Sequence, residues 1–260
     1  MMSQMPRRLI AKIEVKNGYV VKGLMMEGVQ RVGDPVDFAR RYYSQGADEL
    51  ILLDTVASLY ERVELPSIIS SILEDTFLPI CAGGGIRSVD DAELMFRAGA
   101  DKVCVNTGAI KDPNLLKNLS VRFGSQSIVA QIDVKFYRHQ YMVFANSGRD
   151  LSSYTLVDWL SVVQDQGAGE ILLTSIDKDG LSRGIDPVLV ELARSHCKVP
   201  LIYGGGVKSS SDIADTFNLN CDGCAVASAF HFEDLNISDL KNDLSMKNIK
   251  MRRAWQGQKD

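Results

Sequence analysis

The chain has 260 residues, 45% of them hydrophobic and 24% charged, which is ordinary for a globular protein and long enough to bury a full core. A net charge of −4 with no dominant basic face argues against a nucleic-acid partner. No apolar run approaches membrane-spanning length, and the first eight residues are too short and too polar for a signal peptide. Five cysteines, an odd number, fit reduced thiols in the cytoplasm.

Short apolar runs alternate with stretches of helical periodicity along the whole chain, the βα pattern of a parallel sheet. Strands are predicted near Leu9–Val15, Glu49–Asp54, Pro79–Ala82, Lys102–Asn106, Ser127–Asp133, Glu170–Thr174, Leu201–Tyr203 and Gly223–Ala227. Helices are predicted between them near Pro35–Gln45, Leu65–Glu74, Val89–Ala98, Pro113–Phe123, Leu156–Gln166, Asp186–His196 and Ser211–Phe217, with a last one near Ile237–Leu244. Asp112-Pro113 and Asp186-Pro187 read as N-cap and N1 pairs. Eight strand–helix units predict one (β/α)8 barrel, an α/β fold, with residues 1–7 and about 248–260 as tails. A doubly wound open sheet is the alternative. Lys16 to Gly33, rich in Gly, Met and Val with weak helical periodicity, is expected to be a long βα loop covering the site. The alternation in Lys135 to Ser147 predicts a small hairpin after the fifth strand. The polar tail from Lys247 is expected to fray.

The chain also repeats itself. A shift of 121 positions carries Pro79 onto Pro200, Gly83-Gly84-Gly85 onto Gly204-Gly205-Gly206, and Asp91, Asp101 and Thr107 onto Asp212, Asp222 and Ser228. The same shift carries Gly46-Ala-Asp-Glu-Leu onto Gly167-Ala-Gly-Glu-Ile, and a shift of 119 carries Ile13-Glu14-Val15-Lys16 onto Ile132-Asp133-Val134-Lys135. Three segments at nearly one offset, about half the chain, indicate two half-barrels. Each triple-glycine turn follows a strand and precedes a helix. Without Cβ atoms the backbone N–H groups can approach an anion, and the helix offers its N-terminus to the same charge. The chain therefore carries two phosphate-binding modules.

In a barrel the C-terminal strand ends carry function. Here they hold Glu14, Asp54, Gly84, Asn106, Asp133, Ser175, Gly205 and Ser228. Glu14 and Asp133 end the first and fifth strands, on opposite sides of a mouth flanked by two phosphate sites. That suits acid–base work on a long bisphosphorylated substrate. Either residue alone reads as a helix N-cap; their equivalence under the repeat favours function. Arg8, Glu49, Lys102 and Glu170 gather at the strand starts, as a salt-bridged rim or as a gate on the barrel axis. Cys221-Asp-Gly-Cys224 has the spacing of a redox or zinc pair, but its repeat counterpart Ala100–Val103 has no cysteine and no second pair completes a site, so no metal is expected. His139, His196 and His231 are scattered and read as surface or packing residues.

From about Arg8 to Lys247 the chain resembles the cyclase subunits of imidazole glycerol phosphate synthase. The marks are Val-Lys-Asn-Gly-Tyr-Val-Val-Lys-Gly, Gly-Ala-Asp-Glu-Leu, Gly-Gly-Gly-Ile-Arg-Ser, Phe-Gly-Ser-Gln, Gly-Ala-Gly-Glu-Ile-Leu-Leu-Thr-Ser-Ile-Asp-x-Asp-Gly and Ala-Ser-Ala-Phe-His-Phe. The resemblance implies a lyase-type cyclase without a cofactor, paired as a heterodimer with a glutaminase that supplies ammonia. Its substrate would be a ribulosyl aminoimidazole carboxamide nucleotide, and its catalytic carboxylates Glu14 and Asp133. One phosphate would go to Gly84, Gly85, Asn106 and Thr107. The other would go to Asp179, Gly180, Gly205, Gly206, Ala227 and Ser228, with Lys22 in the first loop. Arg8, Glu49, Lys102 and Glu170 would form the ammonia gate.

Four departures fall on the expected substrate face. Lys12-Ile13-Glu14 stands where the family has Cys-Leu-Asp, and Leu24-Met-Met-Glu-Gly-Val-Gln replaces an Asn-Phe-rich loop. Tyr203-Gly-Gly-Gly replaces Ala-Ser-Gly-Gly, losing a hydroxyl donor and adding a phenol, and Asp54 is followed by Thr-Val-Ala-Ser. Such a pattern also resembles the paralogues that supply ammonia for an acetamidino sugar in surface polysaccharides. A non-catalytic glutaminase scaffold is the third reading, disfavoured by the presence of Asp133.

Overall fold

The computed structural model describes residues 5–57 and 65–252. Eight parallel strands form the wall of a barrel: β1 (Arg8–Lys16), β4 (Glu49–Asp54), β5 (Ile80–Gly83), β6 (Lys102–Val105), β7 (Ile128–Tyr137), β10 (Glu170–Ser175), β11 (Leu201–Gly204) and β12 (Gly223–Val226). They run in the order β10-β11-β12-β1-β4-β5-β6-β7, and β7 pairs with β10 to close the ring. The fold is therefore a (β/α)8 barrel and the open-sheet alternative falls. Leu, Ile and Val dominate these strands because both faces are covered. One face looks outward to the helices, where most of the buried apolar side chains lie. The other packs a small inner layer across the axis, with Ile10, Ile51, Cys81, Cys104, Val129, Leu172, Ile202 and Ala225 each reaching in from a different strand.

Helices follow the strands as the periodicity predicts, among them α1 (Pro35–Ser44), α2 (Leu65–Asp75), α3 (Val89–Arg97), α4 (Thr107–Lys111) and α5 (Asn114–Phe123) in the first half. The second half contributes α6 (Leu156–Asp165), α7 (Pro187–His196), α8 (Ser210–Asn218), α9 (Ser228–His231) and α10 (Ile237–Met246). Asp186 caps α7 by accepting from the Leu189 amide, with Pro187 in the first turn, as its dipeptide implies. Asp112-Pro113 differs. Pro113 takes helical φ/ψ as the cap of α5, and Asp112 accepts from the amides of Asn114 and Leu115. The cap chemistry is present, one residue earlier than an N-cap.

The first extension over the mouth departs from expectation. Residues 16–33 form an antiparallel hairpin, β2 (Tyr19–Leu24) and β3 (Glu27–Gly33), that prolongs β1. Its β-branched residues, Val20, Val21, Val29 and Val32, fit a pleated surface better than a loop. The hairpin expected after the fifth strand is present as the end of β7 with β8 (Gln140–Ala145), and β9 (Asp150–Thr155) adds a further strand. Since β1 and β7 are equivalent under the repeat, the hairpins obey it too.

Arg7 bridges to Met251, which holds the polar C-terminal run as far as Arg252. Residues 253–260 lie outside the described residues. His231 is buried and shares a 2.5 Å hydrogen bond with the Tyr42 hydroxyl, while His139 and His196 are exposed. Cys221 and Cys224 are buried free thiols, and among the described residues no cluster of His, Cys, Asp or Glu could hold a metal.

Candidate active site

Both triple-glycine turns sit at the C-terminal end of the barrel. Gly84 and Gly85 take φ of 101° and 75°; Gly205 and Gly206 take 109° and 79°. A side chain at Gly84 would collide with the Asp54 carbonyl oxygen at 2.2 Å, so the turn can be built only from glycine. The residues facing each turn also match. Asn106 has φ −119° and ψ −85°, and Ala227 has −116° and −83°.

The first module opens into a cavity of about 330 Å³ lined by Glu14, Gly84, Gly85, Asn106, Thr107, Asp133 and Gln131, with Arg87, Lys111 and Arg149 among its basic residues. Thr107 accepts from the Asn146 amide and keeps its hydroxyl proton free to donate. The side chain of Asn106 is turned inward, donating to Asp133 at 2.7 Å and to the Phe144 carbonyl at 3.3 Å, so its N–H groups are spent. Its carboxamide oxygen is buried without a partner among the described residues and can accept from a ligand.

The second module is tighter. Asp179, Gly180, Gly205, Gly206, Ala227 and Ser228 line a cavity of about 20 Å³ together with Lys12. The β2–β3 hairpin lies on it: the Met25 amide donates to the Asp179 carbonyl at 2.8 Å, and the Gly23 carbonyl comes within 2.2 Å of where a Gly180 Cβ would stand. Lys22, on the same hairpin, reaches Glu14 at 2.8 Å and Asp179 at 2.7 Å. Met26 and Val29, from the hairpin's far end, line the first cavity. The hairpin thus covers both.

Between the modules stand the two carboxylates, both buried but differently served. Glu14 is 7% exposed, and each of its oxygens holds an ammonium, Lys12 at 2.9 Å and Lys22 at 2.8 Å. Burial opposes its charge, but the two lysines outweigh that and keep Glu14 well below the ordinary carboxylate range. Asp133, 1% exposed, meets neutral donors, Gln131 at 3.0 Å to both oxygens and Asn106. Burial dominates there and raises its pKa, against the weaker pull of those donors and of Lys12. One carboxylate is held ionised, and the other is pushed toward carrying a proton. Such a split is what acid–base chemistry in one pocket requires.

At the strand starts Arg8, Glu49, Lys102 and Glu170 form one closed ring. Arg8 binds Glu49 at 2.8 Å and also Glu170; Lys102 binds Glu49 at 3.1 Å and Glu170 at 2.6 Å. The four residues come from β1, β4, β6 and β10, so they meet only by pointing into the barrel. Burial works against the charges of Arg8, Lys102 and Glu170, yet their opposite-charge partners prevail, raising Arg8 and Lys102 and lowering Glu170. The ring closes the axis below the inner apolar layer.

Tyr203 corrects one expectation. Its side chain faces the helices, where its hydroxyl accepts from the Asp186 amide at 3.0 Å, so no phenol is added to the substrate face. Sequence reasoning also passes over Lys12 and Gln131 as site residues. Alternation was the available signal, since each lies two positions before a strand-end carboxylate and shares its inward face.

A closed eight-stranded barrel made of two half-barrels, with paired glycine turns and two buried carboxylates at one mouth, defines the class. The sequence profile of the histidine biosynthesis protein family matches residues 8–236, and the chain belongs to that family. It is 40% identical over 247 residues to imidazole glycerol phosphate synthase subunit HisF of Natranaerobius thermophilus, covering 95% of this chain and 98% of that protein. The same subunit of Helicobacter hepaticus is also 40% identical over 247 residues, with the same coverage. That of Legionella pneumophila is 47% identical over 201 residues, 77% of this chain and 95% of that protein. Among the described residues no helix is long and apolar enough to cross a membrane.

Proposed function

We propose that this chain is the cyclase subunit of imidazole glycerol phosphate synthase. It takes ammonia and a ribulosyl aminoimidazole carboxamide nucleotide to imidazole glycerol phosphate and aminoimidazole carboxamide ribotide, in histidine biosynthesis. The observation that supports the mechanism is a pair of buried carboxylates between two repeat-related glycine turns, Glu14 held by two lysines and Asp133 by neutral donors. In this reading the turns at Gly84–Gly85 and Gly205–Gly206 hold the two phosphates, helped by Thr107 and Ser228. The substrate is stretched across the mouth, with Asp133 on one side as proton donor and Glu14 on the other as proton acceptor. Lys22 joins the second phosphate site to Glu14 and would respond to the phosphate's arrival.

Ammonia would enter through the ring of Arg8, Glu49, Lys102 and Glu170 from a glutaminase docked on the strand-start face, forming a cytoplasmic heterodimer. Partly buried charges locked in reciprocal pairs across a barrel axis make a defined aperture that a docked partner could open.

The test is turnover of the nucleotide by the purified chain with excess ammonium and no glutaminase. Cyclisation should follow, and should vanish in Asp133→Asn. The paralogous role, ammonia delivery for an acetamidino sugar, has one observation in its favour: Lys12 and Glu14 stand where the family has Cys and Asp. Under that role the chain would be inert on the nucleotide at any ammonium concentration and would still stimulate its glutaminase.

A further inference from the structure

The half-barrel repeat pairs two residues of the mouth, Lys12 and Gln131. The shift of 119 that relates β1 to β7 carries Lys12-Ile13-Glu14 onto Gln131-Ile132-Asp133. Strand alternation puts the first and third residue of each triplet on the inward face. In both halves the first residue pairs with the third, by an ion pair in one and by hydrogen bonds in the other. Lys12 Nζ lies 2.9 Å from Glu14, and Gln131 Nε2 lies 3.0 Å from each oxygen of Asp133. The geometry is repeated while the charge of the donor is not.

That difference has a direct physical consequence. Lys12 is 2% exposed, so its ammonium has little water to screen it, and a close opposite charge in such a place favours the ionised carboxylate strongly. A carboxamide supplies a hydrogen bond but no net charge, and leaves the desolvation of Asp133 unopposed by an ion pair. We propose that Lys12 and Gln131 are paired positioning residues, the ammonium fixing Glu14 as the ionised proton acceptor of the mouth and the carboxamide orienting Asp133 while leaving it able to carry the proton it donates.

The charged and titratable neighbours are few. Glu14 is faced by Lys12 from β1, Lys22 from β2, Asp133 from β7 and His231 from α9; Asp179, after β10, shares Lys22. Asp133 is faced by Gln131, by Asn106 after β6, and by Lys12 and Glu14 across the axis. His231 is held neutral by burial, its pKa driven down to about 3, and so adds no charge of its own near neutral pH. Each turnover would move one proton from Asp133 to the ligand and one from the ligand to Glu14, and solvent exchange would reset the pair. The naming of donor and acceptor rests on the cyclase function proposed above. The splitting of the two carboxylates by Lys12 and Gln131 does not.

The experiment follows the side-chain carboxyl carbons by NMR in the full-length chain labelled at Asp and Glu, titrated with pH, with Glu14→Gln and Asp133→Asn assigning the two signals. Glu14 should stay ionised below the ordinary carboxylate range, and Asp133 should titrate above it. Lys12→Gln, which leaves Lys22 on Glu14, should move the Glu14 midpoint up, and Lys12→Arg should restore it. Gln131→Leu should move the Asp133 midpoint further up and serves as the second arm if Lys12→Gln does not fold. In ammonium-dependent turnover, Lys12→Gln should lower kcat more than it raises KM, on the order of 10²-fold, and move the acid limb of the pH profile upward. Midpoints that stay in place in the folded variants overturn the proposal. Midpoints that move in a chain inert on the nucleotide leave the positioning roles standing and overturn only the cyclase reading.

Discussion

The two half-barrels share a backbone and differ in what they do with it. Their glycine turns agree within about 10° in φ, and the residues facing those turns adopt nearly the same φ and ψ. Even the aspartates that tie the strand starts are copied, with Asp101 accepting from the Ile80 amide at 2.9 Å and Asp222 from the Leu201 amide at 2.9 Å. Yet one module opens on about 330 Å³ and the other on about 20 Å³, and the β2–β3 hairpin lends Gly23, Met26 and Val29 to the wall of the first while its Met25 amide ties it to Asp179 beside the second. One carboxylate is held by neutral donors and the other by two ammonium groups. A duplicated scaffold thus supplies two equivalent positions, and a few side chains at them push the two carboxylates toward different protonation.

The largest effect expected from breaking this asymmetry is at Asp133. Asp133→Asn keeps the shape and removes the proposed proton donor, and ammonium-dependent turnover should fall by roughly 10²- to 10⁴-fold. Steady-state rates with saturating nucleotide would read it. If the rate is retained, the proton comes from elsewhere and the division of labour between the halves is wrong.

A smaller effect is expected at the far end of the barrel. Lys102→Ala removes one cation of the ring and leaves both glutamates to Arg8 alone. Glutamine-dependent turnover with the proposed glutaminase partner should drop on the order of 10-fold through lost coupling, while turnover with added ammonium keeps most of its rate. Equal losses in the two assays would reduce the ring to a structural rim.

The glycines that precede the two turns offer a stability test of the same comparison. A Cβ at Gly83 would meet the Cys104 carbonyl oxygen at 2.7 Å and Leu53 at 2.8 Å, whereas at Gly204 the nearest atom is the Ala225 carbonyl oxygen at 3.4 Å. Gly83→Ala should therefore cost about 1–3 kcal/mol by overpacking. Gly204→Ala should be neutral, or stabilising by roughly 0.4–1 kcal/mol through the unfolded chain. Urea midpoints of the two variants would separate them, and equal costs would mean that the halves pack alike.

The smallest effect is in the pH dependence of stability, where the carboxylates act with opposite sign. Glu14, lowered in the fold, contributes stability above its unfolded pKa that is lost as pH falls through the ordinary carboxylate range and below it. Asp133, raised in the fold, contributes stability below its unfolded pKa that is lost as pH rises through its folded value. Asp133→Asn should thus remove a downward slope that starts in the ordinary carboxylate range and runs up to its raised folded value. Glu14→Gln should remove an upward slope on the acid side, and it should also lower stability near pH 7 by leaving Lys12 without its anion. Denaturant midpoints at several pH values would resolve the two slopes; slopes of the same sign would contradict the assigned protonation states.

By itself the sequence determined the strands, the helices, the half-barrel repeat and the two glycine turns, because periodicity and turn chemistry are local properties of the chain. It also brought Arg8, Glu49, Lys102 and Glu170 to one end of the barrel, since each stands at a strand start. Only the tertiary structure decided that these four close into one ring, that Lys22 spans Glu14 and Asp179, and that Asn106 spends its donors on Asp133. It alone turned Tyr203 toward the helices and Lys12 and Gln131 toward the mouth. Polar Arg8, Lys12 and Glu14 share one face of β1, but a strand buried on both faces does not say which face meets the axis, and Lys12, read alone, looks like a surface residue. Its burial follows from barrel closure, and its ionic partner from Glu14 two residues later on the same face.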